Sequence, residues 1–237
     1  MESITTLRKT ARRTGLLYFI WVLSGLFGVM YIPSKTIVSG DAAATAQRVL
    51  AHEFLFRIGT VNDIISNIIW IFVALLLYRL FKQVNERQAK LLVVFVVVQI
   101  PALFFMEASN IASLMILKGE VLNTFGDGQR QDLAMLFLNM GDYGSLLLEV
   151  FWGLWLFPFG FLVYQSGFIP RILGILLVLN GISYVMHSFT RLLFPDYQAL
   201  VYKISVPFWI LGEISIMLWF IIRGVKNKPG LNMHTPG

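Results

Sequence analysis

Asp63, Glu107, Asp142, Glu149 and Glu213 lie inside long apolar stretches of this chain, and His187 joins them in another. A charged side chain near the middle of a bilayer costs at least about 2.5 to 3.5 kcal/mol on insertion scales, so five acids at such depth call for protons, water, partners or a cation. Carboxylates beside an imidazole can exchange protons near neutral pH, serve as acid and base, or ligate a transition metal. Which of these applies depends on whether the residues meet.

Helical counting says that several do. At about 1.5 Å per helical residue, Asp63, nine residues after Phe54, Glu107, ten before Leu117, Asp142, nine after Leu133, and His187, seven before Phe194, all fall roughly 10 to 15 Å from the outer ends of their helices. Glu149 and Glu213 lie deeper, toward the midplane. Asp63 and Asn67 are four residues apart, Glu107 and Asn110 three, and Asp142, Ser145 and Glu149 follow i, i+3, i+7; Asn180, Tyr184, His187 and Arg191 follow i, i+4, i+7, i+11. Each set shares one helix face. Polar stripes turned to lipid are expensive, so the stripes are expected to face each other around a polar cavity in the outer half of a bundle. Arg57 and Arg191, one turn nearer the surface, are candidate cationic partners; the plainer alternative pairs Arg57 with Glu53 and Arg191 with Asp196 at the interface. The plainer alternative for the whole layer is a hydrogen-bonded network, with Asn62, Asn67, Asn110 and Asn180, that fastens helices together.

The elements that must carry these residues follow from composition. The 237 residues are 57% hydrophobic and 14% charged, outside the balance of a soluble domain. Six apolar runs, residues 15–31, 54–81, 91–117, 133–163, 172–194 and 200–222, are each long enough to cross a hydrocarbon core. Continuous apolar runs exclude the alternation of a membrane barrel, so the expected fold is all-α, a polytopic six-helix membrane bundle forming one domain over residues 1–237.

Arg8, Lys9, Arg12, Arg13, Arg79, Lys82, Arg87, Lys90, Arg171, Arg223, Lys226 and Lys228 gather on one side, opposed there only by Glu2 and Glu86. The positive-inside rule places both termini in the cytoplasm. The formal charge of +6 is then a topology signal that also favours anionic lipid, with no implication of nucleic acid. Absence of cysteine excludes disulfides and thiol chemistry. The first apolar run follows a basic segment as a signal peptide does, but it is long and lacks a small-residue cleavage site, so it is expected to remain as a helix.

The outer side carries the longer connections. Residues 39–53, SGDAAATAQRVLAHE, open with capping residues and continue in helix formers, predicting a short helix at the outer surface between spans one and two. Gly126-Asp127-Gly128 reads as a turn, without the alternating acids of a calcium loop. On the inner side, residues 83–90 form a short charged hairpin, and Pro170 opens a helix. Pro101, Pro158 and Pro207 fall in or near spans, where proline frees carbonyls and bends helices.

The segments GLLYFIWVLSGLFG, GDAAATAQRVLAHEFLFRIG, ALLLYRLFKQVN, SGFIPRILGILLVLNGISYVMHSF and GEISIMLWFIIRGVK, in this order, resemble the bacterial family called domain of unknown function 4386. The resemblance spans nearly the full chain and implies a multi-pass protein of the bacterial cell (inner) membrane. It supplies no activity and assigns no catalytic residue.

Three function classes fit these residues. The first binds or transports a proton, a cation or a small cationic molecule through a cavity of Asp63, Asn67, Glu107, Asn110, Asp142, Glu149, His187 and Glu213, with Arg57 and Arg191 at its mouth; it uses every acid in the layer. The second is a membrane-embedded enzyme acting on a lipid or other hydrophobic substrate, with Glu107, Asp142 and His187 as candidate metal ligands. It lacks HExxH, a His-rich cluster and GxSxG. The third is an accessory or sensory subunit. The 20 Phe, 8 Tyr and 6 Trp are accounted for by lipid contact, packing and interfacial belts, so no cofactor is expected. Trp70, Trp152 and Trp155 lie too deep for a belt and are expected in the packing, with lining of the cavity as the alternative.

Overall fold

In hydrocarbon every backbone N–H and C=O must be satisfied within its own segment, which leaves an apolar run of about 20 residues little choice but helix. A computed structural model of the chain describes residues 4–225. Within them the regular structure is all helix, with no strand. Six helical stretches are long and apolar enough to cross a membrane: Thr5–Thr36, Glu53–Phe81, Glu86–Leu117, Asp127–Ser166, Arg171–Leu193 and Pro195–Ile222. The protein is a multi-pass membrane protein. Of the basic residues counted toward topology, Lys226 and Lys228 lie outside the described residues, as does the opposing Glu2.

The first span begins as α1 (Ile4–Leu26), widens into a π-helical turn (Phe27–Tyr31) and closes as α2 (Ile32–Thr36). α3 (Ala42–Ala51) is the short helix expected after it, started by Asp41, whose carboxylate accepts a hydrogen bond from Ala44 N at 2.8 Å. α4 (Glu53–Phe81) is the second span. The third is broken: α5 (Glu86–Val97) ends where α6 (Ile100–Leu117) prepares to start, because the ring of Pro101 clashes with the carbonyl four residues back, that of Val97. α5 is capped by Asn85, whose side chain accepts from Gln88 N at 3.1 Å.

α7 (Asp127–Ser166), α8 (Arg171–Leu193) and α9 (Gln198–Ile222) complete the bundle, the last preceded by a 3₁₀ turn at Pro195–Tyr197. Asp127 is already the first residue of α7, so the expected Gly126-Asp127-Gly128 turn is shortened to the approach at Gly126, whose N–H donates to Gln129 Oε1. Pro158 and Pro207 sit inside α7 and α9, and both helices continue past them.

The contacts divide the chain into two compact units, the first made of Met1–Phe19, Trp70–Val98 and Leu147–Gly237, the second of Ile20–Ile69 and Gln99–Leu146. In the second, Val49 of α3, Phe56 of α4 and Leu114 of α6 are buried together, with Leu117 and Leu138 against them. In the first, the core is aromatic. Trp155 lies 5.7 Å from Trp70 and 5.6 Å from Phe159 between ring centroids, and Phe159 meets Phe81 and Phe220. Trp70 and Trp155 are thus packing residues, as expected.

Between α7 and α8 the packing depends on glycine. A Cβ on Gly153 would stand 2.5 Å from the carbonyl oxygen of Gly181, and one on Gly160 2.6 Å from that of Gly174. Two glycine pairs, seven residues apart on each helix, bring the backbones together. Lipid tails are as apolar as leucine, so dispersion between closely approaching backbones replaces the hydrophobic effect as the force that joins such helices.

Candidate functional site

The deep acids fall into two groups, one in each unit. In the second unit, Asp63 on α4 accepts a hydrogen bond from its neighbour Asn62 Nδ2 at 2.9 Å. Asn62 is itself fixed by Ser24 on α1: its Nδ2 donates to Ser24 O at 3.0 Å and its Oδ1 accepts from Ser24 Oγ at 2.9 Å. Room for the carboxylate comes from Gly28 in the π-helical turn, where a Cβ would collide with Asp63 Oδ1. A π turn admits one extra residue and is often found at functional sites.

Glu107 on α6 is buried, accepts from Asn110 Nδ2 at 3.1 Å and has the Thr60 hydroxyl of α4 beside it. It also lies within electrostatic range of Asp63. Both carboxylates are therefore met by amides and hydroxyls, and among the described residues no Lys, Arg or His pairs with either. Asn67, four residues after Asp63, is buried as its stripe predicts.

Asp142 departs from expectation. It is exposed, although it keeps an interaction of its own. At its level α7 turns Gly141 toward Asn110 Oδ1 and Gly144 toward Met106 Sδ, at 3.6 and 3.0 Å from an added Cβ, so residue 142 sits beside the packed face instead of on it. Arg57 is exposed and bonded to Glu53, Nη2 to Oε1 at 2.8 Å, in the interfacial pair considered as the plainer alternative. Lys118 joins Glu53 at 3.1 Å and Glu120 at 3.1 Å, and those two carboxylates hold its ammonium above the usual lysine range.

In the first unit Glu149 is met differently. His187 Nδ1 lies 2.7 Å from Glu149 Oε2, joining α8 to α7, and the imidazole is only 4% exposed. Helical counting grouped His187 with Asp63, Glu107 and Asp142; the structure gives it Glu149, which was expected deeper. Around it stand Tyr202 and Trp209 of α9, with ring centroids 5.7 and 5.3 Å from the imidazole. Tyr184 stacks on Trp209 at 4.9 Å and receives the edge of Trp152 at 5.9 Å. Glu213 of α9 has Tyr18 and Asn180 beside it, and it and Glu149 are both within electrostatic range of Tyr184. Arg191 is partly buried in the last turn of α8.

Glu107 and Asp142 thus belong to one unit and His187 to the other, and among the described residues no three His, Asp or Glu side chains gather in a way that could hold a metal ion. Sequence reasoning missed Ser24, Gly28 and Thr60, which carry no charge and give no periodic signal. It expected Trp152 in the packing, with cavity lining as the alternative, and passed over Trp209. A glycine one turn from a serine in an apolar span was the available clue to the Asp63 pocket.

No solved structure matches the chain. A protein of Archaeoglobus fulgidus described as uncharacterized is 34% identical over 77 residues, covering 32% of this chain and 44% of its own length. The chain thus matches less than half of that relative. Residues 13–224 match the family described as domain of unknown function (DUF4386), nearly the whole of the sequence, and the chain belongs to that family.

Proposed function

We propose that this protein binds or transports a proton, a cation or a small cationic molecule within the membrane, and that Asp63 and Glu107 are the charged part of its site. One observation carries the reading: two carboxylates in apolar spans lie within electrostatic range of each other, and among the described residues their hydrogen-bond donors are neutral. Like charges that share a site without a countercharge favour uptake of a proton or a cation. Asn62, Asn110 and Thr60 supply hydrogen bonds that orient the carboxylates while leaving their charge unanswered. The basic residues along the chain favour a cell-membrane orientation with both termini in the cytoplasm and the short helix α3 at the outer surface.

Purified protein in pyranine-loaded vesicles tests this with an imposed pH gradient, in sodium, potassium and tetramethylammonium buffers in turn. The parent is expected to raise flux over protein-free vesicles with at least one of these ions, and the double variant Asp63→Asn, Glu107→Gln to lose at least about tenfold of it. A double variant that conducts like the parent, or a parent no different from empty vesicles, overturns the reading.

A further inference from the structure

Buried polar atoms in proteins nearly always find a hydrogen-bond partner, and each exception asks for an explanation. Five stand out here: Trp152 Nε1, Asn180 Nδ2, Asn180 Oδ1, His187 Nε2 and Trp209 Nε1 are buried and complete no hydrogen bond. All five belong to α7, α8 and α9 of the first unit, in the neighbourhood of Glu149 and Glu213. Tyr184 links the set, touching Trp152 edge-on and Trp209 face to face. Asn180 lies beside Glu213, and its side chain packs on Gly212, where a Cβ would stand 2.8 Å from Asn180 Nδ2.

The chemistry of these atoms describes a complementary molecule. An indole N–H only donates, so Trp152 and Trp209 need an acceptor oxygen; with Nδ1 turned to Glu149, His187 Nε2 is the remaining face of the imidazole, and Asn180 can do both. The two carboxylates and the faces of the surrounding rings favour positive charge. We propose that Glu149, His187, Asn180, Trp152, Trp209 and Glu213 form a binding site for a small organic ammonium that also carries an oxygen acceptor, the chemistry of an amino alcohol. That chemistry exists free in solution and as the headgroup of an ethanolamine phospholipid. The site uses residues that the Asp63 and Glu107 reading does not, so either can fail without the other.

Isothermal titration of the full chain in an amine-free detergent provides the test, using ethanolamine, choline and lysophosphatidylethanolamine as probes. Ethanolamine is expected to bind; choline, which has no N–H to donate, is expected to bind about tenfold more weakly. Glu149→Gln and Trp209→Phe, which keep shape while removing a charge and an indole N–H, are each expected to weaken binding about tenfold, and Arg57→Ala to leave it unchanged. Should Trp209→Phe not fold, Trp152→Phe removes the equivalent donor. Binding of the lysolipid without binding of free ethanolamine assigns the site to the headgroup. No heat with any probe, or binding indifferent to both Glu149→Gln and the tryptophan variants, overturns the proposal and leaves ordered water as the partner of these atoms.

Discussion

Glu149 in one unit and the Asp63–Glu107 pair in the other are buried acids answered in different ways. In the unit of residues 20–69 and 99–146, Asp63 and Glu107 receive amide and hydroxyl donors and, among the described residues, no cation. In the unit built from residues 1–19, 70–98 and 147–237, Glu149 has an imidazole at 2.7 Å and a wall of aromatic rings beyond it. An acid whose partner is built into the fold contributes to stability through that partner. An acid left with neutral donors costs stability, and that cost is accounted for if the acid has something to bind.

Thermal unfolding in detergent tests this contrast, since the two kinds of acid respond to substitution with opposite signs. The largest effect is expected from His187→Ala, which leaves Glu149 buried without its imidazole and destabilises by about 3 kcal/mol. Glu107→Gln removes a charge that nothing compensates and is expected to be neutral or to stabilise by about 1 kcal/mol. Arg57→Ala breaks an exposed pair with Glu53 and is expected to leave the unfolding temperature unchanged. If Glu107→Gln destabilises as much as His187→Ala, the acids of both units are structural and the contrast disappears.

The apolar runs specified the six spans because length and hydropathy largely decide whether a segment crosses a membrane, and each predicted run falls on one observed span, the fifth overrunning Leu193 by one residue. The helix after the first span was legible for a local reason, the Asp41 side chain preceding Ala-rich helix formers. The break in the third span was legible as Pro101, though not its position at Val97. The partners of the acids were much less so. Counting residues gives depth and, within one helix, direction; it gives no rotation of one helix against the next. Asp142 and Glu149 are seven apart and nearly aligned, yet Asp142 is exposed and Glu149 meets His187, because glycines 141 and 144 decide which edge of α7 is packed. The π turn that makes room for Asp63 has no periodic mark at all. Close approach of α7 to α8 likewise rests on Gly153, Gly160, Gly174 and Gly181, whose meaning emerges only once they face one another.

In the proposed function Asp63 and Glu107 themselves exchange protons or take up a cation. Infrared difference spectroscopy of the protein in lipid, across a pH step and then on adding sodium, observes those carboxyl groups directly. Carboxyl bands that shift in the parent and vanish from the difference spectrum of Asp63→Asn, Glu107→Gln are the predicted result. A spectrum identical in parent and double variant would contradict it.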